Sequence, residues 1–289
     1  ECSLNPRLGT EYRYRWQDLQ KNGAGQSVVV VGGGPGGMEC AIILAKRGFD
    51  VTLLEAGDKL GGTLNIAKLP PFKANLQGVT DVLALEMEEL GVTVKCGVRA
   101  TPELVAAMKP AGVFLAVGAP PVVPKSIPGI EKAVLAEDVI LGKVPCQGSV
   151  ALIGTGLTGL ECAEMILEQG HPLTMVEMNP TVGQGIYNVV FNDIYSRIQP
   201  HDPTVLTSHK LTAVTDGGVT VEDLATGESK AVAADTVVLA LGTHNQEALA
   251  EQFEAAGLPT FLVGSAETPG RIAGAVRSGF EKAWVFQAE

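Results

Sequence analysis

Two glycine-rich segments carry residue types at a spacing that would let the backbone bind a phosphate group. The segments run from Ser27 to Gly62 and from Ser149 to Gln184, and they align without a gap. The matched pairs are Gly32 and Gly154, Gly34 and Gly156, Gly37 and Gly159, and Glu55 and Glu177. In a G-x-G-x-x-G pattern the first glycine allows a tight turn, the second lets a pyrophosphate approach the backbone, and the third lets helix and strand pack closely. The chain therefore contains two copies of a unit suited to dinucleotide binding.

The elements around each glycine pattern are predicted to be strand, turn, helix and strand. The runs "VVVV" and "VALI" are typical of buried parallel strands. Apolar residues at helical spacing follow them and end at Gly48 and Gly170, which suit helix C-caps. The sequence thus predicts an α/β fold with two Rossmann-like dinucleotide-binding domains. The second domain, residues 144–241, is predicted to be inserted into the first, residues 1–143 and 242–289.

Each glycine loop is predicted to hold one dinucleotide. The helix N-terminus after the loop would present free N–H groups and a partial positive charge to the phosphates. The glutamate would accept hydrogen bonds from ribose hydroxyls. The predicted contacts are Gly32, Gly34, Pro35, Gly36, Gly37 and Glu55 in the first copy and Gly154, Gly156, Leu157, Thr158, Gly159 and Glu177 in the second. The alternative is two glycine-rich turns without a ligand, but the duplicated strand and helix context favours binding.

The residues after Glu177 bear on which nicotinamide cofactor the second copy binds. No Arg or Lys follows Glu177 until Arg197. A 2′-phosphate beside this carboxylate would be repelled and would find no cation. The sequence therefore favours NADH over NADPH at the second site.

The composition of the chain restricts the classes of binding partner and the cellular compartment that we expect for this protein. The net charge of −11 argues against nucleic acid, whose phosphates require clustered Lys and Arg. No apolar run approaches the length of a membrane-spanning helix. The five cysteines are widely spaced and include no C-x-x-C pair, which fits a reducing cytoplasm and excludes a thioredoxin-reductase-type dithiol. We therefore expect a cytoplasmic protein that binds small molecules.

Longer blocks of the sequence resemble a known family. "VVVGGGPGGMECA", "LGGTLNIAKLPPFK", "TVVLALG" and "FLVGSAETPGRIAGAVRSGF" occur in the order found in the C-terminal half of old-yellow-enzyme-like NADH:flavin oxidoreductases. This family includes 2,4-dienoyl-CoA reductase, 2-enoate reductase and trimethylamine dehydrogenase. The resemblance covers essentially the whole chain. It implies that the first unit binds FAD, or ADP as in trimethylamine dehydrogenase, and that the inserted unit binds the nicotinamide cofactor.

The resemblance also implies further cofactor contacts. For FAD these are Gly62 and Thr63 on the flavin side, Val98 at the adenine, Ala116, Val117 and Gly118 near the pyrophosphate, Gly264 and Ser265 at the ribityl region, and Arg271 and Ile272 at the start of the last helix. For NAD it adds Gly242. Many FAD enzymes have Asp at the position of Ser265, so this departure weakens the FAD prediction.

The first residues resemble the end of an iron–sulfur motif. "CSLNPRLGTE" is similar to the family segment that carries the fourth cysteine ligand of a [4Fe–4S] cluster, so Cys2 would be that ligand. Its three partner cysteines are not in this chain, and a cubane cluster requires four ligands. The resemblance also implies an FMN-binding (β/α)₈ barrel upstream in the same polypeptide. We therefore expect a fragment that carries neither the cluster nor FMN.

The leading hypothesis is an NADH:flavin oxidoreductase module, in which NADH passes a hydride to FAD for onward transfer to the cluster and FMN of the full-length enzyme. No acid–base residue is predicted, because this hydride transfer requires none. A second hypothesis is an ADP-binding scaffold without redox activity. A third, a relative of the glutamate synthase small subunit, is disfavoured by the N-terminal "CSLNP" and by the lack of further cysteines. The final substrate is not predicted, because its pocket would lie in the barrel.

Overall fold

The computed structural model describes residues 2–288 as two compact units of mixed α/β structure. Unit 1 comprises residues 2–67, 75–120 and 244–288, and unit 2 comprises residues 68–74 and 121–243. The strands are β1 (Ser27–Val31), β2 (Asp50–Leu54), β3 (Thr93–Lys95), β4 (Gly112–Leu115), β5 (Val134–Leu135), β6 (Val150–Ile153), β7 (Leu173–Val176), β8 (Thr204–Leu206), β9 (His209–Thr215), β10 (Gly218–Asp223), β11 (Ser229–Ala233), β12 (Thr236–Leu239) and β13 (Thr260–Leu262). The helices are α1 (Pro35–Lys46), α2 (Leu64–Ala67), α3 (Gln77–Glu89), α4 (Pro102–Ala107), α5 (Ala136–Ile140), α6 (Leu157–Glu168), α7 (Asn188–Ile198), α8 (Glu247–Ala255) and α9 (Ile272–Val285).

Unit 1 is built on a five-stranded parallel sheet with the order β13-β4-β1-β2-β3. The central strand β1 is apolar because both of its faces are covered. Val28 and Val30 pack with residues of α1, α3 and α9, whereas Val29 and Val31 pack with residues of α4 and α8. The carboxyl end of β1 leads directly into the glycine loop, so the core of unit 1 holds that loop in place.

Helix α9 packs against α1 at a glycine contact within unit 1. A β-carbon on Gly279 would lie 2.1 Å from the carbonyl oxygen of Gly36, which is closer than real contacts allow. We predict that Gly279→Ala destabilises the protein by about 1–3 kcal/mol, because α9 must shift away from α1. Gly274→Ala in the same helix is the matched control, since its β-carbon would meet nothing within 4 Å. The control is expected to be neutral or slightly stabilising, and equal denaturant midpoints for the two variants would contradict the packing account.

Unit 2 repeats this plan and adds a small second sheet. Its five parallel strands have the order β5-β12-β6-β7-β8, and β11-β10-β9 form an antiparallel sheet. Inward residues of β6, β7 and β12 share one apolar core with residues of β9 and β10. The predicted fold class, α/β with two Rossmann-like units, is therefore confirmed.

The boundaries of unit 2 differ from the predicted 144–241. Residues 121–143, 242–243 and 68–74 also lie in unit 2. The physical reason is strand pairing, because β5 pairs in parallel with β12 and the N–H of Val122 donates to the carbonyl oxygen of Gly242. A two-residue strand such as β5 has no detectable hydrophobic period, so the sequence gives no signal that this segment pairs with β12. Within residues 2–288, no helix combines the length and the hydrophobicity needed to cross a bilayer.

Candidate dinucleotide-binding sites

The glycine loop of unit 1 has the close packing that its sequence pattern predicts. Gly32 adopts a φ of +107°, and a β-carbon there would lie 2.4 Å from the carbonyl oxygen of Ala116. A β-carbon on Gly37 would lie 2.0 Å from the carbonyl oxygen of Gly32. At Gly34, by contrast, a β-carbon would meet nothing within 4 Å. The protein therefore crowds the first and third glycines and leaves open space beside the second.

The glycine loop of unit 2 has the same geometry. Gly154 adopts a φ of +97°, and its β-carbon would lie 2.4 Å from the carbonyl oxygen of Ala240. A β-carbon on Gly159 would lie 2.2 Å from the carbonyl oxygen of Gly154, whereas one on Gly156 would meet nothing within 4 Å. Helices α1 and α6 begin directly after Gly34 and Gly156, and the first N–H groups of a helix lack intrahelical partners. Open space beside free N–H donors at a helix N-terminus fits a pyrophosphate in both units.

Other predicted FAD contacts lie around the loop of unit 1. A β-carbon on Gly62 would lie 3.1 Å from Cα of Gly34, and the N–H of Gly61 donates to the carbonyl oxygen of Gly33 at 2.8 Å. Gly62 and Thr63 are exposed beside that loop. Pro35 and Gly36 open α1, and a β-carbon on Gly36 would lie 2.8 Å from the carbonyl oxygen of Ala275 in α9. The structure thus brings the glycine loop, the Gly62 segment and α9 together.

The remaining predicted contacts are at strand ends and loops. Val98 donates its N–H to the carbonyl oxygen of Glu55, so only its other groups remain for an adenine. Gly264 donates its N–H to Oγ of Ser278. The others lie as follows: Ala116, Val117 and Gly118 follow β4; Ser265 is in a short 3₁₀ turn; Arg271 and Ile272 begin α9; Leu157 and Thr158 begin α6; and Gly242 follows β12. Their contacts with a cofactor stay predictions.

The two acidic residues after β2 and β7 accept hydrogen bonds from their own glycine loops. Glu55 accepts from the backbone N–H of Gly33 at 2.7 Å and of Gly57 at 2.6 Å. Glu177 accepts from the N–H of Thr155 at 2.9 Å and also from side chains. Burial acts to raise the pKa of Glu177, but hydrogen bonds from Thr155 and Asn179 outweigh it and lower the pKa overall. The carboxylate of Glu177 is therefore held ionised.

A second matched pair of acids, Glu39 in α1 and Glu161 in α6, has different surroundings. Glu39 is buried without a hydrogen-bond donor among the described residues, and burial, together with the nearby Glu86, raises its pKa to about 7. Glu161 is equally buried, but Lys73 of unit 2 forms an ion pair with it. Burial still raises the pKa of Glu161, and Lys73 opposes the shift. The ion pair with Lys73 thus compensates the buried charge of Glu161 in unit 2, whereas the buried charge of Glu39 in unit 1 has no comparable partner among the described residues.

Cys2, the predicted cluster ligand, is half-buried. The backbone N–H groups of Leu4 and Asn5 lower the pKa of its thiol. Within residues 2–288, no three metal-ligating side chains come together. The role of Cys2 as an iron–sulfur ligand stays a prediction.

Three residues around these sites were not predicted from the sequence: Thr155, Asn179 and Lys73. Thr155 and Asn179 donate side-chain hydrogen bonds to Glu177 at the repeat positions that Gly33 and Gly57 occupy in the first copy. The gap-free alignment of the two copies shows a polar residue in the second copy where the first copy has glycine at both positions, so the sequence did contain a signal for them. Lys73 lies far from Glu161 in the sequence, and no local pattern predicts their pairing.

Two Rossmann-like units that each present a glycine loop are the architecture of flavin-dependent pyridine-nucleotide oxidoreductases. The profile of the pyridine nucleotide-disulphide oxidoreductase family matches residues 72–268, and a profile for NAD(P)-binding Rossmann-like domains matches residues 30–79. The chain belongs to the pyridine nucleotide-disulphide oxidoreductase family. It is a flavin-dependent oxidoreductase module that binds flavin and nicotinamide cofactors.

The relatives are large reductases and oxidases. The chain is 36% identical to an NADH oxidase of Thermoanaerobacter brockii over 98% of this chain and 44% of that protein. It is 32% identical to a bilirubin reductase of Mediterraneibacter gnavus over 96% of this chain and 43% of that protein. A solved structure of 2-naphthoyl-CoA reductase with 2-naphthoyl-CoA superposes with a TM-score of 0.89 at 26% identity, over 99% of this chain and 43% of that one. The chain thus spans less than half the length of these relatives, and the predicted resemblance to the multidomain reductases is confirmed.

Proposed function

We propose that unit 1 binds FAD, that unit 2 binds NADH, and that the chain is the NADH:flavin oxidoreductase module of a multidomain reductase. The observation that carries the proposal is the open space beside Gly34 and Gly156, each next to a helix N-terminus. A chain with only one functional nucleotide site would not need this geometry twice. When bound, FAD supplies the hydride-accepting chemistry.

The residues of the chain bind and orient the cofactors in this proposal. The first turns of α1 and α6 receive the pyrophosphates through their N–H groups and helix dipoles. Gly62, Thr63 and the start of α9 contact the flavin side, and the contacts at Val98, Ala116, Val117, Gly118, Gly264 and Ser265 complete the FAD site. In unit 2, Leu157, Thr158 and Gly242 line the NADH site. No side chain of the chain is assigned a proton-transfer role.

We further propose that electrons leave this module for a [4Fe–4S] cluster, which Cys2 helps to ligate, and for an FMN-containing barrel of the same polypeptide. Two of the relatives are named as reductases of bilirubin and of cinnamate, which supports an unsaturated organic acceptor.

One alternative function rests on Ser265, which stands where many FAD enzymes have Asp. In this alternative unit 1 holds ADP as a scaffold. Thermal unfolding of the chain with FAD, ADP or FMN distinguishes the FAD-binding module from the ADP-binding scaffold. We expect FAD to raise the melting temperature more than ADP, because the flavin contacts add to those of the ADP half, and FMN to have little effect. Equal shifts with FAD and ADP would favour the scaffold, and no shift with either would contradict nucleotide binding in unit 1.

A further inference from the structure

The acids that follow β2 and β7 occupy the same repeat position but differ in how many hydrogen bonds they accept. Oε2 of Glu177 accepts from the N–H of Thr155 at 2.9 Å and from its Oγ1 hydroxyl at 2.6 Å. Oε1 of Glu177 accepts from the N–H of Asn179 at 2.8 Å and from its Nδ2 at 2.7 Å. Among the residues that the structure describes, two backbone N–H groups donate to Glu55, and Gly33 and Gly57 have no side chains that could donate more.

A carboxylate offers about four acceptor positions on its two oxygens. The protein itself occupies all four at Glu177, and the residue is buried with 7% of its surface exposed. A ribose hydroxyl could bond to Glu177 only by displacing one of these donors. Glu55 keeps two acceptor positions, so the usual ribose contact is open in unit 1 and closed in unit 2.

The amide of Asn179 is the next acceptor at this edge of the sheet. Its orientation is fixed, because Nδ2 must face the carboxylate and the reverse orientation would place two acceptors together. Oδ1 is thereby directed away from Glu177, and it accepts no hydrogen bond from any residue that the structure describes. Asn179 is half-buried and lies just beyond the carboxyl end of β7, on the same side of unit 2 as the glycine loop.

We propose that Oδ1 of Asn179 accepts the hydrogen bond of the adenosine 2′-hydroxyl of NADH, and that Glu177 is a positioning residue that acts through Asn179. This inference rests on the proposed binding of NADH in unit 2. It gives coenzyme selectivity a physical basis. A 2′-phosphate would meet an amide oxygen backed by an ionised carboxylate, both of which accept and neither of which donates.

The test compares ligands that differ only in the 2′-hydroxyl. Dissociation constants of AMP and 2′-deoxy-AMP are measured by displacement of NADH fluorescence from the chain whose bound FAD has first been reduced with dithionite without oxygen, in the wild type and in Asn179→Ala. The wild type is expected to bind AMP about fivefold to tenfold more tightly than 2′-deoxy-AMP, and Asn179→Ala should abolish this preference. Asn179→Ala should also weaken NADH binding by a similar factor without improving NADPH binding.

The outcomes distinguish a direct contact from a structural role. If Asn179 only holds Glu177 in place, the variant will weaken AMP and 2′-deoxy-AMP equally and keep their ratio, which overturns the inference. Thr155→Ala is the control, since it frees one acceptor position on Glu177 and leaves Oδ1 of Asn179 unchanged. This control should keep the ratio, and a ratio that rises in Thr155→Ala while Asn179→Ala keeps the wild-type ratio would assign the contact to Glu177. A wild-type chain that binds neither NADH nor AMP would overturn the proposed function and this inference together.

Discussion

Gly156→Ala is expected to weaken NADH binding by more than tenfold while the chain keeps its stability and its flavin. The backbone at Gly156 has φ −66° and ψ −174°, which alanine adopts without strain. A β-carbon there would meet nothing within 4 Å of the protein, so the added methyl group occupies only the space assigned to the pyrophosphate. Fluorescence titration with NADH, after the flavin has been reduced with dithionite without oxygen, and thermal unfolding of the same preparation measure the two effects.

Gly34→Ala is the matched variant in unit 1. Its backbone angles, φ −74° and ψ 176°, are equally compatible with alanine. This variant should lose flavin and keep NADH binding, the reverse of the result for Gly156→Ala. Gly159→Ala provides the contrast, since its β-carbon would lie 2.2 Å from the carbonyl oxygen of Gly154 and should destabilise unit 2 itself. Unchanged ligand binding in both Gly34→Ala and Gly156→Ala would contradict the assignment of the two sites.

Glu39→Gln is expected to stabilise the protein at alkaline pH. Burial raises the pKa of Glu39 from 4.5 to about 7, so the folded state favours the neutral acid. Stability from this group is fully present below the unfolded pKa of 4.5 and is lost as the pH rises through 7. The loss is about 3 kcal/mol by pH 8 to 9, and glutamine avoids it because it stays neutral.

The charged groups that act on Glu39 are Lys46 of α1, which favours ionisation, and Glu86 of α3, which opposes it. These two side chains form an ion pair with each other at 2.5 Å, so Lys46 is only partly available to Glu39. Denaturant unfolding at pH 5 and pH 8 should show a gain for Glu39→Gln that grows with pH. Glu161→Gln is the control and should show a much smaller gain, because Lys73 already compensates its charge. A gain for Glu39→Gln that is the same at both pH values would contradict the account.

The sequence predicts the framework of both sites for a physical reason. Tight turns and close packing allow only glycine at positions 32, 37, 154 and 159. The spacing of these glycines in the sequence is therefore enough to predict the geometry of both loops. The second-copy donors Thr155 and Asn179 are different, because a polar residue in a loop has many partners available to it. Their effect on Glu177 becomes visible only when the distances are known.

Ion pairs and strand pairs between residues that are far apart in the chain are the features that could not be predicted from the sequence. Lys73 pairs with Glu161 across a sequence separation that leaves no local periodicity. Glu39 has no such partner among the residues that the structure describes, although its surrounding motif is the same. The boundary of unit 2 depends in the same way on the pairing of Val134–Leu135 with β12. These features arise from tertiary packing, which acts on residues that are individually unremarkable in sequence.

The most direct test of the account is the absorbance spectrum of the chain after it has been loaded with FAD, freed of excess flavin, and treated with NADH without oxygen. We predict about one retained flavin per chain, whose visible absorption band bleaches on addition of NADH. A retained flavin that stays oxidised would contradict the NADH assignment of unit 2. A chain that retains no flavin, while ADP still protects it against heat, would contradict the oxidoreductase module and favour the scaffold.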